Sequence, residues 1–597
     1  MRTRTRRARL IALVVTGLWV VTAPAIAPNV APPVLPDNGQ GPSDLLTVPS
    51  AVPDALDSTT YWVAMPDGIL LATEVWLPTT PAPYPTVLVR TPYDCPDPPG
   101  WPLSLYVQEG YAVVCQEIRG CGRSGGTWYY YLDDNADGHA TIDWITQQAW
   151  SNGKVGMSGR SGLGATQYAI ARGAPAALKC LAPAHETPFR YDLVWPGGAL
   201  FYALLYNWLH WMGFDDLYYE LLEHRLCDSW YDGRSDWVDP PEEIHVPMLH
   251  MGRWYDFGQR GALGAFQLLQ HQGGAGAAGN QYLYMDPLDH DHLYGQFPRP
   301  PSPIPFEEWR QQLELDWLDY WLKDEPSGVD AWPKARIYVM GAVDEPGAPG
   351  NEWLEMRDWP PDAETRTFYL SQGDPPHGGG LDEALPTAGS TVLLIDPLDP
   401  VPTWGGANWW VPKGPWDQAA YPMGRPIESR ADVLTFTTDV LTEPVTVIGA
   451  VTARLWINPD TPDLDLSVRL TDVYPDGKSI LITDGIQRAR MRCGCDQECF
   501  MIPGTPYEIE VDIWSTAMIF NAGHRIRVAI AGTNWSRFER NDNSGGDLNN
   551  PDYTVAYPQI LFGPEYPSSI ELPIPFILPF SDGFESGDTS AWSATVP

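Results

Sequence analysis

The segment Gly159-Arg160-Ser161-Gly162-Leu163-Gly164 has the residue types and spacing of an activated nucleophile. It follows a strand-like run, Lys154 to Ser158, and precedes a helix-like run, Ala165 to Ala171. A serine at a sharp strand-to-helix turn is exposed for attack, and the helix N–H groups beside it can hold an oxyanion. Such a turn strains the serine backbone, so its neighbours must be small for strand and helix to pack closely. Gly159, Gly162 and Gly164 meet that need. A glycine-rich turn with an incidental serine is the alternative reading of so short a pattern.

A serine of this kind needs a general base and a group that orients the base. On a parallel α/β scaffold they follow in the order Ser, Asp or Glu, His. Asp256 comes just after the apolar run Met248 to Tyr255, and His290 just after Leu283 to Asp289. Both therefore fall just past a strand. On the residues alone, other aspartates and His292 stay open for these roles. Asp286, Asp289, His290, Asp291 and His292 also allow a metal patch, because His-x-His is a known ligand pairing. With the serine turn in place, the expectation is a site without metal or cofactor. The glycine-rich stretch Arg119 to Gly126 has no lysine and does not read as a phosphate-binding loop.

The elements that must position these residues alternate. Strand-like runs at Leu70–Leu77, Thr86–Val89, Tyr111–Cys115 and Leu178–Ala182 are interleaved with helical patterns such as Ala140–Ile145. Apolar runs separated by helices predict a mostly parallel sheet covered on both faces, an α/β-hydrolase domain in two parts, 55–188 and 244–350. Between them, 189–243 places Leu204, Leu205, Trp208, Leu209, Leu217, Tyr218 and Leu221 at helical spacing, which predicts an inserted helical cap. From 351 to 578, short alternating runs such as Val447–Trp456 and Arg525–Ile530 predict an all-β sandwich. Residues 26–54 read as a Pro-rich linker, and 579–597 as a small, polar, flexible tail.

Composition bounds the rest. Among 597 residues, 75 acidic against 37 basic give a net charge of −38, which disfavours nucleic acid and anionic membranes as partners. Arg2, Arg4, Arg6, Arg7 and Arg9 precede the apolar run Leu10–Val21, and Ala23-Pro24-Ala25 offers a small-x-small cleavage site. Residues 1–25 thus read as a signal peptide, the apolar core being short for a spanning helix. The expectation is export to a periplasmic or extracellular space, with no stable membrane insertion after cleavage. Eight cysteines in an exported chain permit disulfides. Cys493, Cys495 and Cys499 suggest a local disulfide loop rather than a metal clip, since a fourth ligand is lacking nearby.

Several collinear motifs carry a family resemblance: Arg90-Thr91-Pro92-Tyr93-Asp94, Gly110 to Val114, Arg119 to Gly126, the serine turn, Trp254-Tyr255-Asp256 and Asp286 to His290. Ser429 to Thr438 and Asn521 to Arg527 continue it toward the C-terminus. The chain resembles the cocaine esterase and X-Pro dipeptidyl-peptidase group (CocE/NonD type) of α/β-hydrolases, whose C-terminal domain is a jelly roll. The resemblance implies Ser161 as nucleophile, His290 as general base and acid, and Asp256 as its orienter. It also implies an oxyanion hole from the Gly162 N–H and the Tyr93 hydroxyl. The family commonly has tyrosine directly after the nucleophile, so Gly162 implies the loss of one aromatic wall of the acyl pocket. The substrate expected is a small ester or amide or a short peptide. A dipeptidyl-peptidase and an inactive secreted carbohydrate-binding protein are the competing readings.

Overall fold

A computed structural model describes residues 57–96, 102–291, 297, 306–373, 378–409, 412–420, 424–546 and 552–576. The expected signal peptide, the whole of the linker, His292 and the C-terminal tail lie outside them. Among the described residues, no helix is long and apolar enough to cross a membrane.

Ten strands form the first sheet: β1 Thr59–Ala64, β2 Leu70–Trp76, β3 Tyr84–Thr91, β4 Ala112–Glu117, β5 Ser151–Arg160, β6 Leu178–Ala184, β7 Met248–Tyr255, β8 Gln281–Asp289, β9 Ala335–Val339 and β10 Glu352–Met356. Their order across the sheet is β1-β2-β4-β3-β5-β6-β7-β8-β9-β10. From β4 through β3 to β9 every neighbouring pair is parallel, and antiparallel strands close both edges. β4, β7 and β8 are buried at every position, as strands covered on both faces must be. That is why they read as unbroken apolar runs rather than alternating ones. Helices Gly162–Ala171 and Gln259–Gln272 pack onto the central strands that they follow. Between β6 and β7 the chain forms helices Arg190–Val194, Tyr202–Trp211 and Asp215–Glu223.

The second sheet has eleven strands, all drawn from Ala363–Pro575. Its longest pair, Val445–Asn458 against Tyr507–Phe520, alternates buried and partly exposed side chains over much of its length, the period-2 signature of a half-buried strand. Strand pairing puts the change of sheet between Met356 and Ala363, not at 350/351. The physical reason is that Glu352–Met356 caps the exposed edge of β9 before the chain leaves. The two sheets share one apolar core, in which Trp254, Met285 and Ile337 of the first pack with Ile448, Leu466 and Met518 of the second.

Three disulfides are present, Cys95–Cys115, Cys493–Cys499 and Cys227–Cys495. The expected local loop is the Cys493–Cys499 bridge. Cys227–Cys495 was not legible as a pair, since it joins the helical segment to the β domain across 268 positions.

A polar tie also crosses between the sheets. His524 lies between Asp472 at 2.9 Å and Glu345 at 3.0 Å, the latter on the loop from β9 to β10. Burial opposes a charge on His524, but hydrogen bonds to these carboxylates and their charges outweigh it and raise its pKa. A folded pKa above the unfolded one adds stability that is fully present below about pH 6.5 and is lost as pH rises through the folded value. The melting temperature of the wild type minus that of His524→Gln should therefore be largest near pH 5.5–6 and shrink toward pH 9. A difference that grows with pH would refute this assignment.

Candidate active site

Four side chains of the candidate site come from the C-terminal ends of β3, β5, β7 and β8. Tyr93 follows β3 by two residues, and Ser161, Asp256 and His290 each directly follow their strand. The carboxyl ends of parallel strands all open on one edge of the sheet, so residues far apart in sequence converge there.

Ser161 has φ 56° and ψ −129°, a conformation that a non-glycine residue rarely adopts. Its N–H donates to Ala184 O at the end of β6, and its carbonyl accepts the Gly164 and Ala165 N–H groups of the following helix. A Cβ on Gly164 would lie 2.8 Å from that same Ala184 O, so only glycine lets the helix approach β6. Gln167 ties the turn down further, donating to Gly159 O and accepting the Ala182 N–H.

The Ser161 Oγ stands 3.1 Å from His290 Nε2, and His290 Nδ1 stands 2.6 Å from Asp256 Oδ2. Asp256 is fully buried, and its other oxygen accepts the Gly258 N–H at 2.6 Å. With Oδ1 so engaged, Oδ2 accepts the Nδ1–H, which leaves Nε2 as the acceptor facing the serine. Phe257 stacks on the imidazole with ring centres 4.4 Å apart. It also borders a cavity of about 160 Å³ shared with Phe201, Arg260 and Trp514. Neither Ser161 nor Tyr93 lines that cavity.

Gly162 opens the helix, where first-turn N–H groups have no helical partner. A Cβ added at Gly162 would lie 2.8 Å from Pro92 Cγ and 3.3 Å from the Tyr93 hydroxyl. The glycine therefore does not leave an open wall. The Pro92 ring and the Tyr93 hydroxyl occupy the space that a larger residue at this position would need. Tyr93 accepts a hydrogen bond from Trp208 Nε1 at 3.2 Å and packs against Trp211 with centres 5.8 Å apart. Burial pushes the Tyr93 phenol up to about 12, against the opposing effect of its hydrogen bonds with Trp208 and Ser161. The group is thus a neutral O–H donor throughout the physiological range.

The aspartates of the possible metal patch have other partners. Asp286 lies 3.3 Å from Arg253 Nε, Asp289 accepts the Asp291 N–H, and Asp291 pairs with Lys413. Among the described residues, no three His, Cys, Asp or Glu side chains are grouped to hold a metal.

Comparison with known proteins agrees with this architecture. The model of the X-Pro dipeptidyl-peptidase S15 family matches residues 67–230, and that of the X-Pro dipeptidyl-peptidase C-terminal non-catalytic domain matches 327–571. Cocaine esterase of Rhodococcus sp. (strain MB1 Bresler) is 32% identical over 579 residues, covering 86% of this chain and 97% of that protein. The chain belongs to the cocaine esterase and X-Pro dipeptidyl-peptidase family of serine hydrolases. Two solved structures share the fold. An aminopeptidase from the marine sediment archaeon Thaumarchaeota archaeon superposes with a TM-score of 0.73 at 23% identity, over 90% of this chain and 99% of that one. An α-amino acid ester hydrolase gives 0.72 at 22%, over 91% and 100%.

Within this family frame, three residues near the triad were missed from the sequence. Trp208 is one. The others are Glu186 and Arg190, a fully enclosed pair with Nη1 to Oε1 at 2.7 Å. Glu186 also accepts the Thr187 N–H, and burial raises its carboxyl against the charge of Arg190. Arg190 lies over the rings of Tyr130, Tyr131 and Trp237. The i,i+4 spacing was the available signal, but it reads as a surface pair unless burial is known. Arg190→Met should leave a buried carboxylate unpaired and destabilise the fold by about 3–5 kcal/mol. Arg190→Met with Glu186→Gln should recover most of that loss in urea unfolding. Equal stability of the single and double variants would show that the pair does not interact.

Proposed function

We propose that the chain is an exported serine hydrolase that cleaves an ester or amide bond through an acyl-enzyme. The observation that carries this reading is the hydrogen-bonded series Ser161–His290–Asp256, set on the ends of β5, β7 and β8 in a family that hydrolyses small esters or peptides. In this reading His290 Nε2 takes the Ser161 proton as Oγ attacks the substrate carbonyl. Asp256 holds the imidazole in the required tautomer and stabilises the imidazolium. The Tyr93 hydroxyl and the Gly162 N–H receive the oxyanion, Pro92 having no N–H to offer. His290 then gives its proton to the leaving group, and a water deprotonated by the same nitrogen releases the acyl group.

The helices between β6 and β7 are assigned as a cap over this centre, and the second sheet as a jelly roll. The basic, apolar and small-residue pattern of 1–25 and the three disulfides support export. Neutral acyl groups are the favoured substrates. Glu186, the carboxylate beside the triad and Tyr93, is committed to Arg190 and Thr187, and Gln259 donates its amide to Trp254 and Ser515 carbonyls. Neither is disposed to hold a substrate ammonium.

Ser161→Ala should abolish both turnover and fluorophosphonate labelling, and His290→Ala should lower kcat by several orders of magnitude. EDTA should leave the rate unchanged. On a panel of short acyl esters, aminoacyl esters and X-Pro anilides, neutral esters should give the highest kcat/KM. A preference for X-Pro anilides would make the chain a dipeptidyl-peptidase, and a wild type that neither labels nor turns over would make it an inactive binding protein.

Tyr93→Phe should lower kcat by about a hundred- to a thousand-fold with little change in KM, the loss typical of one oxyanion donor. Trp208→Phe, which removes the N–H that orients the phenol together with part of the buried indole, should lower kcat less. In a Tyr93→Phe background it should do almost nothing. Additive losses in the double variant would mean that Trp208 acts independently of Tyr93.

A further inference from the structure

The loop that leaves β8 with His290 is gripped from two sides. From the first sheet, fully buried Arg253 donates to Asp289 O at 2.7 Å and to His290 O at 3.4 Å. From the β domain, the Lys413 ammonium forms an ion pair with Asp291, the residue after His290. The Lys413 side chain is only 3% exposed, whereas that of Asp291 is 36% exposed. A lysine this deeply buried needs a counter-charge, since desolvation of an unpaired ammonium costs several kcal/mol.

The pair matters because of what lies beside it. Burial opposes ionisation of Asp291, but the charges of Lys413 and His290, a hydrogen bond from Lys413 and the charge of Arg160 hold its carboxyl below the usual range. Asp291 and His290 are therefore electrostatically coupled. An uncompensated carboxylate on the adjacent residue would favour the imidazolium, which has no lone pair with which to accept the Ser161 proton.

We propose that Lys413 of the β domain is a positioning residue for the proton-transferring histidine, clamping the loop that bears His290 and cancelling the charge of Asp291. The proposal rests on the serine-hydrolase reading above. Other groups also face His290: Asp256 on Nδ1, Phe257 on the ring, the His185 ring at 6.2 Å, and Glu186, which acts through its charge. Lys413 and Asp291 differ from these in that both can be neutralised without touching the triad or the buried Glu186–Arg190 pair.

The test compares Lys413→Met, Asp291→Asn, the double variant and Lys413→Arg. The readouts are the pH dependence of labelling by a neutral fluorophosphonate and of kcat/KM on a neutral ester, each scaled to its own plateau. Lys413→Met should move the acid limb up by about half to one pH unit, the effect of one charge at ~6 Å in partly solvated surroundings. Labelling well below the limb should then be about 3- to 10-fold slower relative to the plateau. Asp291→Asn should move the limb the other way. The double variant should return close to wild type, and Lys413→Arg should never leave it. A scaled Lys413→Met profile that superimposes on wild type, or a shift that persists in the double variant, overturns this proposal alone. Absence of labelling in the wild type overturns the serine-hydrolase reading and this proposal with it.

Discussion

Ser161 is held with φ at 56°, and much of the α/β layer is arranged to keep it there. A strained residue of this kind costs of order 1–3 kcal/mol and persists only when its surroundings over-determine it. Here the determinants come from three strands. β6 accepts the Ser161 N–H through Ala184, the helix after β5 starts on the Ser161 carbonyl, and Thr166 in that helix donates to Arg90 O on β3. Small residues are required wherever these elements cross. A Cβ at Gly159 would fall 2.6 Å from Leu163 Cβ, and one at Gly162 would strike Pro92. The turn therefore fixes the position of the Gly162 N–H and of the Tyr93 hydroxyl as well as that of the serine hydroxyl, since Pro92-Tyr93 rests against Gly162.

Burial of charge is the second constraint, and the layer resolves it by pairing. Arg90 is fully buried and meets Asp134 at 2.6 Å, with Gln116 on its Nε. Arg190 meets Glu186, and Arg253 meets Asp286 and the carbonyls of the histidine loop. Buried pairs add little net stability compared with apolar packing of the same volume, but they tolerate only one geometry. Around a site whose donors and acceptors must hold position to a fraction of an ångström, that intolerance is useful. Asp256 shows the same logic on a smaller scale, because the Gly258 N–H on one oxygen leaves the other for the histidine.

What could be read from the residues was what local pattern dictates. Ser161, Asp256 and His290 each directly follow a buried strand, and a run of apolar residues ending in a polar one is visible without coordinates. The parallel sheet and the all-β domain were legible for the same reason, the change from unbroken apolar runs to alternating ones. Trp208, Glu186, Arg190 and Lys413 were not. Trp208 lies 115 positions from Tyr93, and Lys413 lies 122 from Asp291, so no local spacing reports either contact. Arg190 and Glu186 offered only an i,i+4 spacing, because burial is not a local property. Gly162 misled for a different reason. A missing side chain suggests space, but a neighbouring side chain can fill it, and here the ring of Pro92 lies where the larger residue would stand.

Residues 327–571 match a non-catalytic domain, yet this β domain borders the segment that bears Asp256 at several points. Tyr255, the residue before Asp256, donates its hydroxyl to Leu481 O in the second sheet at 3.0 Å. Gln259, three residues after Asp256, donates to Ser515 O at 2.8 Å. Met340 at the end of β9 exchanges backbone hydrogen bonds with Ala517 and Ile519. These contacts bracket the aspartate and continue into the shared apolar core, so the segment from Tyr255 to Gln259 has the α/β layer on one side and the β domain on the other. Hydrogen bonds of this kind contribute roughly 1 kcal/mol each, which is modest beside an apolar core that spans both sheets. Their consequence is geometric. A first sheet detached from its β domain would expose the apolar faces of Trp254, Met285 and Ile337 and lose the outer anchors of the Asp256 turn together, so packing of that sheet and placement of Asp256 are not separable in this chain.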